Sequence, residues 1–287
     1  MRLDDSRESS NVEDRRGHRI RLGGRGGKIG IGTIVLALVA AYFGIDPNVI
    51  LQTGSDTATD PSAYTTTGEA PAPTEQTRFV SKVLGDTEDV WGSIFQSKGW
   101  GQYRQPTLVL FTDVTPTACG TGQAAMGPFY CPGDSKVYLD LSFFEQMAQE
   151  LDSPGDFAQA YVIAHEVGHH VQHLLGITQH VDQARRRLDT TAANQLSVRV
   201  ELQADCLAGV WARQSASERN TLEQGDIEEG LNAASAIGDD RLQRRTQGRI
   251  VPDSFTHGTS QQRTQWFSRG FKSGDTAQCD TFNASSL

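Results

Sequence analysis

The sequence predicts an α+β protein, a mainly helical domain with a small β-sheet, preceded by a single transmembrane helix. Three observations carry this reading. His165-Glu166-Val167-Gly168-His169 lies within a long apolar segment of helical character. Two runs of strand-forming residues, Thr107–Thr112 and Lys136–Asp140, come before it. Far upstream, residues 29–45 hold no charge over seventeen positions, the lower limit for crossing a bilayer as a helix.

In chain order, residues 1–28 carry eight Lys/Arg against five Asp/Glu and read as a basic, disordered cytoplasmic segment. Residues 29–45 are the expected transmembrane helix. Residues 46–77 contain neither Lys nor Arg and are built of Thr, Ser, Pro, Ala and Gly, a disordered linker that cannot bury a core. The loss of positive charge across residues 29–45 predicts a cytoplasmic N-terminus and an extracytoplasmic remainder. A signal peptide cleaved near Val39-Ala40-Ala41 is the rival. The long, partly acidic start and the Tyr42-Phe43 continuation favour an uncleaved anchor.

Residues 78–287 suffice for one sizeable domain. It opens with a helical pattern from Phe79 to Phe95, passes through the β-rich hairpin region, and is mostly helical to about Phe271. The segment around the two histidines has its own punctuation. Ser153 and Pro154 suit an N-cap and first helical position, Asp156 suits the first turn, and Gly176 a stop. Between them the chain is apolar nearly all round, as in a helix buried in a core. Gly168 inside such a helix costs about 1 kcal/mol relative to Ala, which close approach of another backbone would explain.

Histidines at i and i+4 share one helical face, so both imidazoles can bind one ion. Glu166 is turned about 100° from His165 and can reach a water at that ion without ligating it. A third ligand is needed. His173 lies about 12 Å along the helix from His165, too far to share the ion, and His170 points off the ligand face. A long H-E-x-x-H-x-x-G-x-x-H form fails at Gln172 and Leu175. Glu201-x-x-x-Asp205 remains: carboxylates at i and i+4 repel each other mildly, and a nearby cation makes sense of them. Glu201 is the expected third ligand, and Asp205 the acceptor that orients a ligand imidazole. The set suits Zn²⁺. His257, in Thr256-His257-Gly258-Thr259-Ser260, either stabilises an oxyanion opposite Glu166 or caps a helix. Asp239-Asp240 after Gly238 reads as a turn or cap.

Four cysteines allow three pairings. Cys119 and Cys131 flank a Gly-rich excursion, and Cys279 could staple the tail to Cys206. The net charge is −9, and since the first 28 residues carry +3 the remainder carries −12, which argues against binding nucleic acid or anionic lipid.

These motifs together resemble the gluzincin arrangement, and more closely the neutral zinc metallopeptidases of bacteria, a membrane-anchored family of the YpfJ type. The likeness extends through Asn11–Gly17, Phe43–Pro47, Gly127-Pro128-Phe129-Tyr130-Cys131-Pro132, Ala164–His170, Glu201–Cys206, Gly238–Asp240 and Thr256–Ser260. It implies a zincin-like domain anchored in the bacterial inner membrane. The substrate is then a peptide or protein laid as an extended strand on a sheet edge, for which the segment around Tyr138 is the candidate. Glu166 takes a proton from the attacking water and passes it to the leaving amine. A zinc-stabilised binding or regulatory domain without turnover would need no base at position 166.

Overall fold

Period-two alternation in two apolar strands builds the sheet on which the site rests. The computed structural model describes residues 1–17, 19–20, 66–67, 71–285 and 287. Its elements are β1 (Val12–Asp14), β2 (Arg19–Ile20), β3 (Thr66–Thr67), α1 (Glu75–Lys98), β4 (Thr107–Phe111), β5 (Val114–Thr117), β6 (Gly120–Gln123), β7 (Phe129–Cys131) and β8 (Lys136–Asp140). Then come α2 (Ser142–Glu150), α3 (Asp156–Leu174), α4 (Ile177–Arg185), α5 (Thr190–Arg219), α6 (Asp226–Ala236), α7 (Asp239–Gln247) and α8 (Ser260–Ser273). The chain forms two units, Met1–Gly17 with Ala70–Leu287, and His18–Glu69. In the second unit β2 pairs antiparallel with β3.

In the first unit the sheet runs β1-β4-β8-β7. β4 lies parallel to both β1 and β8, and β7 is antiparallel to β8. Successive side chains leave opposite faces of a strand. Leu108, Leu110, Val137 and Leu139 therefore enter the helical core, while Val109, Phe111 and Tyr138 meet Cys131 in a small cluster on the other face. The expected hairpin falls to β5 and β6. The candidate edge at Tyr138 is corrected: β8 is paired on both sides, and the edge strands of this sheet are β1 and β7. Nothing local in Lys136–Asp140 encodes which neighbours it will find.

α3 sits in the centre of the helical layer, with fourteen buried residues. Its start differs from the expected cap. The helix begins at Asp156 after Gly155, whose φ of 118° suits only glycine. Glu229 on α6, rather than Ser153, accepts the orphan Phe157 N–H at 3.1 Å. Gly168 answers its own cost, because a Cβ there would stand 3.1 Å from the Ala204 carbonyl oxygen of α5. The α5–α8 crossing is tighter still: a Cβ on Gly270 would lie 1.9 Å from the Cys206 carbonyl oxygen.

The N-terminal expectations are overturned. Among the described residues no helix is long and apolar enough to cross a membrane. The longest, α1 and α5, carry charges along their length. The span expected at 29–45 lies outside the described residues. Residues 1–17, expected as a disordered cytoplasmic segment, pack with the domain instead. Val12 pairs with Leu108, Ser9 Oγ and Asn11 Nδ2 each donate to Glu88 at 2.7 Å, and Leu3 is buried. A chain start bonded into the domain cannot sit across a membrane from it. The single-pass inner-membrane localisation is therefore withdrawn, and among the described residues the fold is mainly helical with small sheets and has no helix that could span a membrane. α1 begins at Glu75 behind a Thr74–Thr77 capping box, so the domain starts before residue 78.

Both disulfides pair by local closure, Cys119 with Cys131 and Cys206 with Cys279, the latter tying α5 to the 3-10 turn Thr276–Cys279. In the chain-entropy model a loop as long as the second is worth up to about 4 kcal/mol. Cys279→Ser is expected to lower the non-reducing denaturation midpoint more than Cys119→Ser; the reverse order would show that native-state strain, not loop length, decides.

Candidate metal centre

The close α3–α5 crossing brings the predicted ligands together. One donor atom each from His165, His169 and Glu201 lies within 4.8 Å of the others. His165 Nε2 is 3.1 Å from Glu201 Oε2, and His169 Nε2 is 3.5 Å from Glu201 Oε1. Two imidazoles and a carboxylate are a donor set suited to zinc, and three protein ligands leave a position open. Glu166 lines the same cleft, and among the described residues its carboxylate has no hydrogen-bond partner. The cleft holds about 510 Å³, and Phe129 and Tyr130 of β7, Phe143, Val162 and His257 help to line it.

Behind the candidate ligands lies a buried polar network. Asp205 Oδ1 is 2.9 Å from His165 Nδ1, as expected of the orienting acceptor. Tyr161, one turn before His165, donates to the same oxygen. Arg263 from α8 donates to both Asp205 oxygens at 2.9 Å, and to the Ile237 carbonyl at 3.3 Å. Asp205 is fully buried and Arg263 is 2% exposed, so each charge has its counter-charge on the spot.

Electrostatics follow from this packing. Burial works against the charged form of His165, but the Asp205 charge and the hydrogen bonds to Asp205 and Glu201 outweigh it and lift its pKa from the usual 6.5 to about 10. His169 is raised as well: burial opposes its charge and Glu201 more than compensates. Burial pushes Glu201 up, yet the imidazoles of His169 and His165 hold it well below the usual carboxylate range.

His257 reaches the cleft from the loop before α8. Its half-exposed ring places Nδ1 3.2 Å from Asp239 Oδ1. Asp239 Oδ2 accepts the backbone N–H groups of Thr256, His257 and Gly258 at 2.7–3.1 Å. Loss of water contact opposes charge on His257, but Asp239 and Glu201 raise its pKa. The sequence reading missed Asp239 as the acceptor for His257, for no helical period links positions 239 and 257. It also missed Tyr161 and Arg263. Tyr161 sits at i−4 from His165, a signal that was there to use.

The family model described as "Putative neutral zinc metallopeptidase" matches residues 1–282. Among curated relatives, the "Uncharacterized protein YpfJ" of Escherichia coli (strain K12) is 52% identical over 292 residues, covering 99% of this chain and all of that protein. The "Uncharacterized protein Mb2605" of Mycobacterium bovis is 37% identical over 263 residues, 86% of each chain. No solved structure matches.

Raised histidine pKa values have a signed consequence for the metal-free protein. Their stabilising contribution is complete below the unfolded value near 6.5 and fades as pH climbs through the folded value, about 10 for His165. Chelator-treated protein is expected to lose thermal midpoint between pH 6.5 and 10. Zinc bound by these imidazoles would have to displace the same protons, so its affinity is expected to fall as pH is lowered. A metal-free midpoint that rises across that interval contradicts the protonated arrangement.

Proposed function

Because the chain belongs to the neutral zinc metallopeptidase family, whose cofactor is zinc, we propose that it hydrolyses peptide bonds with His165, His169 and Glu201 as the zinc ligands. The observation that carries this is the Glu166 carboxylate, without a hydrogen-bond partner among the described residues, in the cleft beside three convergent donors. When bound, zinc supplies Lewis acidity that favours deprotonation of water and polarises a carbonyl. Glu166 is the general base that takes the proton of the attacking water and returns it to the leaving amine. A purely structural metal site would need no carboxylate there.

His257 donates to the oxygen that gains charge at the reacting carbonyl. Asp239 accepts from Nδ1–H, which leaves Nε2 without a protein partner among the described residues and keeps the ring protonated to higher pH. Asp205 fixes His165 with Nε2 towards Glu201. The substrate adds as an extended strand along β7, whose Phe129 and Tyr130 line the cleft.

Purified protein incubated with an unbiased peptide library is expected to cut it, and to stop on chelation. His165→Ala, His169→Ala and Glu201→Ala lose the stoichiometric zinc. Glu166→Gln keeps zinc and loses turnover. His257→Ala keeps zinc and drops kcat/KM by about 10²–10³-fold, the range for one oxyanion donor. Full zinc content in Glu201→Ala would move the third ligand elsewhere, and unimpaired cleavage by Glu166→Gln would remove the base.

A further inference from the structure

Gln172 stands three residues after His169, so its side chain lies over the same face of α3. Its Oε1 is 2.9 Å from His169 Nδ1, and its Nε2 donates to the Val200 carbonyl at 2.8 Å and to Gln203 Oε1 at 3.0 Å. Gln203 Nε2 in turn donates to the Cys279 carbonyl at 3.0 Å. Gln172 is 1% exposed and Gln203 is 8% exposed.

This chain has only one polarity. A backbone carbonyl can only accept, so the bonds to Val200 and Cys279 fix both amides with nitrogen outward and oxygen inward. Gln172 therefore offers His169 an acceptor, and in the neutral form that a metal requires the imidazole carries its proton on Nδ1. The lone pair is left on Nε2, the nitrogen 3.5 Å from Glu201 Oε1. The same amide grips the carbonyl of Val200, the residue before Glu201. One side chain thus touches one ligand and the backbone beside another.

We propose that Gln172 is a positioning residue for the zinc centre. It selects the Nδ1–H tautomer of His169 and sets the spacing of His169 to Glu201, with Gln203 and the Cys279 carbonyl holding it in place. The proposal rests on the reading of His165, His169 and Glu201 as zinc ligands. It gives His169 a neutral amide where His165 has the Asp205 carboxylate, and it runs a second line of support from the C-terminal disulfide turn to the ion.

The test compares Gln172→Met and Gln203→Met with the unsubstituted full-length protein, by zinc titration against a competing chelator and by unfolding of the metal-free forms. Gln172→Met, similar in length but with only a weakly accepting thioether in place of the amide oxygen, should weaken zinc binding by about 10–100-fold, the usual range for an outer partner of a ligand imidazole. Gln203→Met should lose less, because His169 keeps its acceptor. Histidine-labelled, zinc-loaded protein should show a slowly exchanging Nδ1–H on His169 that Gln172→Met abolishes. A Gln172→Met protein that is less stable without metal yet binds zinc as tightly would reduce Gln172 to packing and overturn the proposal. Should Gln172→Met fail to fold, a fast-exchanging His169 Nδ1–H in the unsubstituted protein is enough to overturn it. Failure of the unsubstituted protein to bind zinc sinks the metal centre itself, a result distinct from equal binding by both forms.

Discussion

A single buried carboxylate, Asp205, governs the geometry of the helical layer. It receives Tyr161 and His165 from α3 and the forked guanidinium of Arg263 from α8, all inside a core closed to water. A charge there is tolerable only while its partners are in place, since removing one side of such a pair typically costs 3–5 kcal/mol. Three helices are therefore held in a register that satisfies every donor at once. Replacing the pair with apolar residues could preserve stability but would leave His165 without its acceptor. The network fits a requirement for orientation more than a requirement for cohesion.

The glycines at the helix crossings make that register reachable. Without a Cβ at Gly168, the backbone of α3 comes close to Ala204, one residue from Asp205 and three from Glu201. Gly270 does the same for α8 against Cys206. A Cβ at Gly168 would make the neighbouring backbone give by a few tenths of an ångström, and one at Gly270 by far more, so packing at these crossings and the placement of Glu201 are set together. The helix-propensity cost of Gly168 is small beside this.

The legible parts of the sequence were those written in local periods. His165, Glu166 and His169 announce themselves through helical spacing, and Glu201 with Asp205 through the same spacing on a second helix. What depends on distant pairing was not legible. Val12–Asp14 has no hydrophobic alternation, yet it joins the sheet because β4 presents an unpaired edge to it. A window of hydropathy over residues 29–45 carries no information about a strand formed by residues 12–14, and so the topology inferred from charge asymmetry failed. Lys136–Asp140 looked like an edge because alternation marks a strand and not its place in a sheet. Asp239 and His257 meet across a turn whose backbone amides, not side-chain spacing, bring them together.

The disulfide pattern has a consequence for how the molecule is made. In order of synthesis the first cysteine pairs with the second and the third with the fourth, so no bond encloses half of another. Oxidation that simply follows the order of emergence therefore yields the native set, with no wrong bond to be undone by slow thiol exchange. Cys206 must still wait, as a thiol, while the 73 positions to Cys279 are made. The segment that bears Glu201 is thus made before its C-terminal brace. The order of the chain places this brace last, and the carbonyl of Cys279 that Gln203 bonds comes with it.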